Sequence, residues 1–216
     1  MRKNSELRYV IRICCAGSGG EATLREICAR VRSGLETLAL RAHNLPYVLA
    51  ALFETHPLAA LDEFLLPERS STHRRLFDHH LASESPVEAL DADTLLQWAA
   101  VEPDRRFPIL GQTIGMFERH RGEEGNAVSP LFTTILEQAP DKRAFLGDVW
   151  SRLHPNGWVG SLADILAHRR AAVCKMGDAL GGEVQAWVVE ALPEIDRWIE
   201  YEAACDSYGD RERSFE

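Results

Sequence analysis

Proline stands at the start of one apolar stretch after another in this chain, and this placement limits what the chain can fold into. A proline fits the first turn of a helix, where its missing N–H would have no partner, but it disrupts a helix interior or a central strand. Behind these prolines, apolar residues follow at three- and four-residue intervals, the period of an amphipathic helix. The prolines concerned are Pro46, Pro57, Pro86, Pro103, Pro130 and Pro140. The sequence therefore predicts an all-α fold of short helices.

Only the N-terminal segment departs from this pattern. Leu7, Tyr9, Ile11 and Ile13 alternate with Arg8, Val10 and Arg12, which predicts a short strand or irregular structure. The run Gly17–Gly20 follows, at a place where a phosphate-binding loop can precede a helix. The lysine that such a loop requires is missing, so we expect a linker or the start of a helix. The predicted layout is an irregular segment over 1–20, a helical-repeat domain over 21–204 and a frayed polar tail over 205–216.

An internal repeat indicates that the helices stack in pairs. The segment Pro103–Arg106 returns as Pro140–Arg143, an offset of 37 residues, which is the size of a two-helix repeat. Apolar positions match at the same offset: Leu95 with Phe132, Trp98 with Ile135, Ala99 with Leu136, Ile109 with Leu146 and Met116 with Leu153. The expected architecture is a HEAT- or armadillo-like α-solenoid.

The C-terminal segment carries the strongest helical pattern. Ser161–Leu180 opens on a serine cap and keeps an apolar face up to the Gly181–Gly182 break. Val184–Ile199 then forms a second amphipathic stretch, in which Pro193 predicts a kink or break near Leu192.

The residues Val184–Leu192, which read VQAWVVEAL, resemble the second helix of HEAT-like repeats. Gln185 and Val188 stand where those repeats usually have arginine and alanine. The wider segment 157–200 is similar to the C-terminal helical region of large bacterial multidomain proteins, some of which act as cellular or antiphage sensors. The resemblance implies a stand-alone or truncated helical-repeat piece of such a protein.

Composition narrows the classes of function. The chain has 216 residues with 24 basic and 33 acidic side chains, a net charge of −9, which argues against a general nucleic-acid coat. No stretch without Asp, Glu, Lys or Arg is longer than 12 residues, the length of Ala42–Phe53, and a membrane span needs about 20. Five cysteines without a CxxC pair favour reduced thiols in the cytoplasm.

Catalytic or metal-binding patterns are weak. His73, His79 and His80 lie near Asp78, with a basic cluster of Arg69, Arg74 and Arg75 close by. The two ends of this histidine group are about two helical turns apart, too far for one shared ion, so a solvated face is the simpler interpretation. We expect no catalytic residue, metal or cofactor.

The functional prediction is a non-enzymatic helical-repeat scaffold or protein-interaction module with an unidentified protein partner. Trp158 lies in a loop, where an aromatic either fills the core or contacts a partner. The partner-binding candidates are Trp158, Arg169, Arg170, Arg105 and Arg106. The alternative is a HEAT-like DNA-repair glycosylase, whose phosphate-binding groove these arginines, with Lys142 and Arg143, would line. A structural role inside a larger assembly is a third possibility.

Overall fold

A computed structural model describes residues 2–17, 19–41, 44–66, 85–120, 123–155 and 158–213. Helices account for most of these residues, so the all-α expectation is confirmed at this level. The chain divides into two compact units, Met1–Gly115 and Met116–Glu216, where the sequence predicted one continuous domain over 21–204.

The first unit consists of short helices, most of which begin where the sequence predicted. Asp91 caps one of them through its side chain, which accepts the N–H of Thr94 at 2.7 Å. Ser85 and Pro86 open only a turn over residues 86–89. The helices are α1 (Arg2–Cys14), α2 (Gly20–Glu36), α3 (Pro46–Thr55), α4 (Pro57–Leu65), α5 (Ala92–Ala99) and α6 (Pro103–Thr113). Their buried core includes Leu49, Leu52, Phe53, Leu61, Phe64 and Trp98.

The N-terminal segment is helical, which corrects the expectation of a strand or irregular structure over 1–20. Ile11 and Cys15, four residues apart, are buried, whereas Tyr9 and Ile13 are exposed. A four-residue spacing places side chains on one face of a helix. The alternation in the sequence therefore does not mark the buried face, because packing against α3 selects a different set of residues.

The Gly17–Gly20 segment joins two helices. Gly20 is the first residue of α2 and is buried, and a Cβ on it would overlap the backbone carbonyl of Cys15. Glycine is therefore required where the end of α1 meets the start of α2. The prediction of a helix start is confirmed, and the strand of a phosphate loop is absent from this place.

The second unit begins with a hairpin that the sequence did not predict. Strands β1 (Phe117–His120) and β2 (Glu123–Val128) pair antiparallel, with Phe117 opposite Val128 and an irregularity before Arg119. The helices that follow are α7 (Pro130–Gln138), α8 (Lys142–Leu146), α9 (Val149–Leu153), α10 (Leu162–Leu180) and α11 (Gly182–Arg213). Their buried core includes Phe132, Ile135, Phe145, Leu166, Val173 and Ile195.

Helix α11 is longer than the sequence predicted. It runs through Pro193 without a break and continues to Arg213, across most of the segment 205–216 that was expected to be frayed. The missing N–H of Pro193 removes one hydrogen bond of the helix, but α11 packs extensively along α10. Packing along the helix is the physical reason that the proline does not end it.

Three of the apolar residue pairs that define the predicted repeat are buried at both positions. Trp98 and Ile135 are both buried, as are Leu95 with Phe132 and Ile109 with Leu146. The two copies differ elsewhere, because α8 has five residues and α6 has 11. The hairpin also lies between them in the chain. The 37-residue repeat and the stacking of its helices in a solenoid therefore both stay predictions.

Candidate functional site

Arg106 is buried, which corrects its assignment as a partner-binding residue. It is 8% exposed, and its Nη1 donates to the backbone oxygen of Trp98 at 3.0 Å. The guanidinium carbon lies 4.9 Å from the centre of the Trp98 ring, and Nη1 is 3.3 Å from Oδ1 of Asp62. A partner cannot reach a side chain held in this way, so Arg106 joins α6 to α5 and α4.

Asp62 stands at the centre of a charged network that sequence reasoning missed. It accepts the indole N–H of Trp98 at 2.9 Å and lies 3.4 Å from Nη2 of Arg25. The neighbouring Glu63 pairs with Arg32 at 3.2 Å. Two adjacent acids in the otherwise apolar helix α4 were the signal for this network. Because the carboxylates face arginines, the arrangement stabilises the packing of four helices.

Arg105 lies at the surface but is engaged within the chain. Its Nη2 donates to the backbone oxygen of Leu66 at 3.0 Å, and Nη1 lies 3.3 Å from Glu102. The Arg105 side chain is accessible to solvent, and its positive charge lies beside the Glu102 carboxylate.

Arg169 and Arg170 are sequence neighbours in opposite environments. Arg169 is 1% exposed; its Nη1 donates to the backbone oxygen of Leu153 at 2.8 Å, and its guanidinium carbon lies 4.4 Å from the Phe117 ring centre. Arg169 thus fixes the hairpin against α10 and is removed from the set of partner-binding candidates. Arg170 is half-buried and pairs with Asp196 of α11 at 2.5 Å.

Trp158 is a predicted site residue that lies at the surface. The residue is 47% exposed to solvent, and Val159 beside it is 96% exposed. The ring of His154 meets the Trp158 indole edge-on at 5.5 Å, which supports one side of the indole. The structure therefore shows an aromatic at the surface and not a core plug.

The loop that carries Trp158 is anchored at its base. The Oγ of Ser161 accepts the backbone N–H of Asp164 at 3.1 Å and donates to Asp206 of α11 at 2.7 Å. This serine is the N-cap predicted from the sequence. The cap and its link to α11 fix the residue at which the loop enters α10, three positions after Trp158.

A groove in the same unit provides a second surface. It has a volume of about 480 Å³ and lies between β2 and α10. Val128, Ala172 and Met176 are among its apolar lining residues, and Lys175 and His168 of α10 belong to its wall. The sequence analysis did not identify this groove, because it depends on the position of the hairpin.

Burial acts on the thiols of Cys15 and Cys28. Burial, and secondarily the carboxylate of Glu63, raise the pKa of the Cys28 thiol to about 12, so it stays protonated at neutral pH. Cys15 is buried as well, and burial raises the pKa of its thiol.

Metal ligands are not grouped in the part of the chain that the structure covers: within those ranges no three His, Cys, Asp or Glu side chains could hold an ion. The predicted cluster of Arg69, His73, Arg74, Arg75, Asp78, His79 and His80 lies outside the described residues.

None of the protein-family models, curated proteins or solved structures compared with the chain matches it. Within the described residues, no helix combines the length and the apolar character needed to cross a bilayer.

Proposed function

We propose that this chain is a non-enzymatic protein-interaction module, and that the loop around Trp158 contacts its partner. The observation that carries the proposal is a large aromatic side chain and an almost fully exposed valine side by side on an anchored loop. Tryptophan is the residue type most enriched among residues that dominate binding energy. A loop held at its base loses less conformational entropy on binding than a free one.

The internal pairing of the basic residues supports this function over the glycosylase alternative. A DNA-binding groove needs cations that are free to replace the counterions of phosphates. Arg143 is paired with Glu190, Arg170 with Asp196, and Lys142 donates to the backbone oxygens of Glu137 and Ala139. Arg105, Arg106 and Arg169 are engaged as described above. The six side chains expected to line the groove thus all have partners within the chain.

The finer parts of the proposal concern architecture and context. We place the helix pairs in a HEAT-like solenoid, supported by the matched burial at the 37-residue offset. The resemblance of segment 157–200 supports an origin as a stand-alone or truncated part of a bacterial sensor protein. Reduced thiols support a cytoplasmic location, since all five cysteines are unpaired.

Comparative affinity purification from the source organism tests the proposal. Trp158→Ala should lower the yield of at least one co-purifying protein about 30-fold, because truncating a dominant interface residue costs about 2 kcal/mol or more. Val189→Ala is the matched control, since Val189 is an exposed apolar residue elsewhere in the unit. Equal yields for wild type and Trp158→Ala would refute the role of this loop. Release of bases from alkylated duplex DNA would instead favour the glycosylase.

A further inference from the structure

Helix α1 exposes a row of apolar side chains to solvent, while two of its arginines pair with a carboxylate of the protein. Arg8 and Arg12 both pair with Glu54 of α3, Arg8 at 2.8 Å. The opposite side carries Leu7, Tyr9, Val10 and Ile13, between 46% and 75% exposed, and the exposed Cys14. We call these five residues the α1 stripe. A surface helix normally buries its large apolar side chains and exposes its polar ones. The α1 stripe therefore has the character of an interaction surface.

We propose that the α1 stripe joins two copies of this chain in a twofold-symmetric dimer, with the two α1 helices antiparallel. The inference does not depend on Trp158, which lies in the other unit. Its first support is area. The four large side chains expose roughly 500 Å² per copy, at the upper end of the largest apolar patches on monomers. Complete burial of this area on both copies would remove at most about 1,000 Å² from solvent, the lower limit for a specific interface.

The second support is the symmetry of the stripe about Val10. Leu7 lies three residues before it and Ile13 three residues after it, on one side of the helix. A twofold axis at Val10 brings Leu7 of each copy against Ile13 of the other and the two valines together. A dimer of this kind uses one self-complementary patch on both copies.

The third support is charge, which also selects the direction of the helices. The chain carries a net charge of −9, so two copies repel except where they meet through uncharged surface. The stripe itself contains no charged residue. Glu6 is exposed just beyond its end. In a parallel pair Glu6 would face Glu6, whereas in the antiparallel pair it lies near Cys14 of the other copy.

The same charges disfavour a lipid surface as the occupant. A helix that lies on a membrane uses Lys and Arg on its polar face to hold anionic headgroups. Here Arg8 and Arg12 are held by Glu54, so their charges are matched inside the protein. With Arg8 and Arg12 both paired to Glu54 and the chain acidic overall, the stripe fits a copy of the same surface better than an anionic bilayer.

Sedimentation velocity on the full chain tests the dimer. Wild type should self-associate with a Kd on the order of 10 µM, as expected for a small interface. Val10→Glu should weaken this Kd at least about 100-fold, because it places two carboxylates at the axis. Val189→Glu is the matched control, since Val10 is 52% and Val189 55% exposed on helices. It should keep the wild-type Kd.

The direction of the helices is tested by oxidation of Glu6→Cys under mild conditions in reducing-agent-free buffer. An intermolecular disulfide to Cys14, absent when Cys14→Ser is added, is expected for the antiparallel pair. A wild-type chain that stays monomeric at about 100 µM overturns the proposal, as does a Val10→Glu variant that dimerises like wild type. Flotation of a monomeric chain with vesicles of anionic and neutral phospholipid would assign the stripe to a membrane instead.

Discussion

Replacement of Arg169 by alanine should strongly destabilise the second unit, although arginine is usually a surface residue. The side chain is 1% exposed, and its guanidinium lies 4.4 Å from the Phe117 ring centre. Its Nη1 also donates to the backbone oxygen of Leu153 at 2.8 Å. Arg169→Ala removes both contacts and leaves a buried carbonyl without this donor.

The magnitude follows from these contacts. A hydrogen bond from a charged donor contributes about 1.5–3 kcal/mol, and a desolvated cation–π contact about 2 kcal/mol. The free energy of unfolding should therefore fall by about 3–5 kcal/mol. Arg170→Ala is the matched control one residue away. The side chain of Arg170 is 36% exposed and that of Asp196 47%, so solvent screens the pair and its loss should cost only about 0–1 kcal/mol.

Thermal unfolding followed by far-UV circular dichroism measures the difference. For a unit of roughly 100 residues, each kcal/mol corresponds to about 4–8 °C in Tm. Arg169→Ala should melt at least about 10 °C below Arg170→Ala. If the two variants melt together near wild type, Arg169 does not hold the hairpin against α10 and the reasoning is refuted. The same reasoning predicts that replacing both Arg169 and Arg170 with Glu destabilises the unit strongly, whereas the same change at two exposed arginines would cost little.

Two further predictions concern the first unit. Gly20→Ala should lower Tm by displacing α1 from α2, since the new Cβ overlaps the Cys15 carbonyl; Gly19→Ala, with nothing within 4 Å, should not. A Gly20→Ala chain as stable as Gly19→Ala would contradict this close approach. The backbone N–H of Thr94 lowers the pKa of the Asp91 carboxyl. The charged cap therefore stabilises the fold fully above the ordinary pKa of aspartate, about 3.9. This contribution is lost as the pH falls through the lowered pKa of the folded state. The Tm advantage of wild type over Asp91→Asn should therefore shrink between about pH 7 and pH 3; a constant difference would disprove it.

Local sequence determined where most helices begin. Pro46, Pro57, Pro103 and Pro130 are each the first residue of a helix, and Ser161 caps α10 as its spacing predicted. These features depend on the backbone conformation and hydrogen bonds of a few neighbouring residues. Information of that kind is complete within a short segment, so it can be read without knowing the rest of the fold.

The side chains of the candidate site depend on residues far along the chain. Arg169 and Arg170 are the same residue type at adjacent positions, yet of the two it is Arg169 that contacts Phe117 and Leu153. The hairpin that supplies Phe117 has no strong strand pattern of its own. Whether an arginine is a surface charge or a buried tie is decided by the groups brought against it.

Helix α1 shows the same division. Its sequence contains an apolar set and a basic set, and either could have faced the protein. Ile11 and Cys15 are the residues buried against the protein, Arg8 and Arg12 pair with Glu54 on α3, and Val10 stays on the surface. The sequence by itself determined that the chain is helical and acidic. The tertiary structure decided which charges are paired inside and which apolar residues stay exposed, because the free energy of a charge or an apolar group depends on the groups around it.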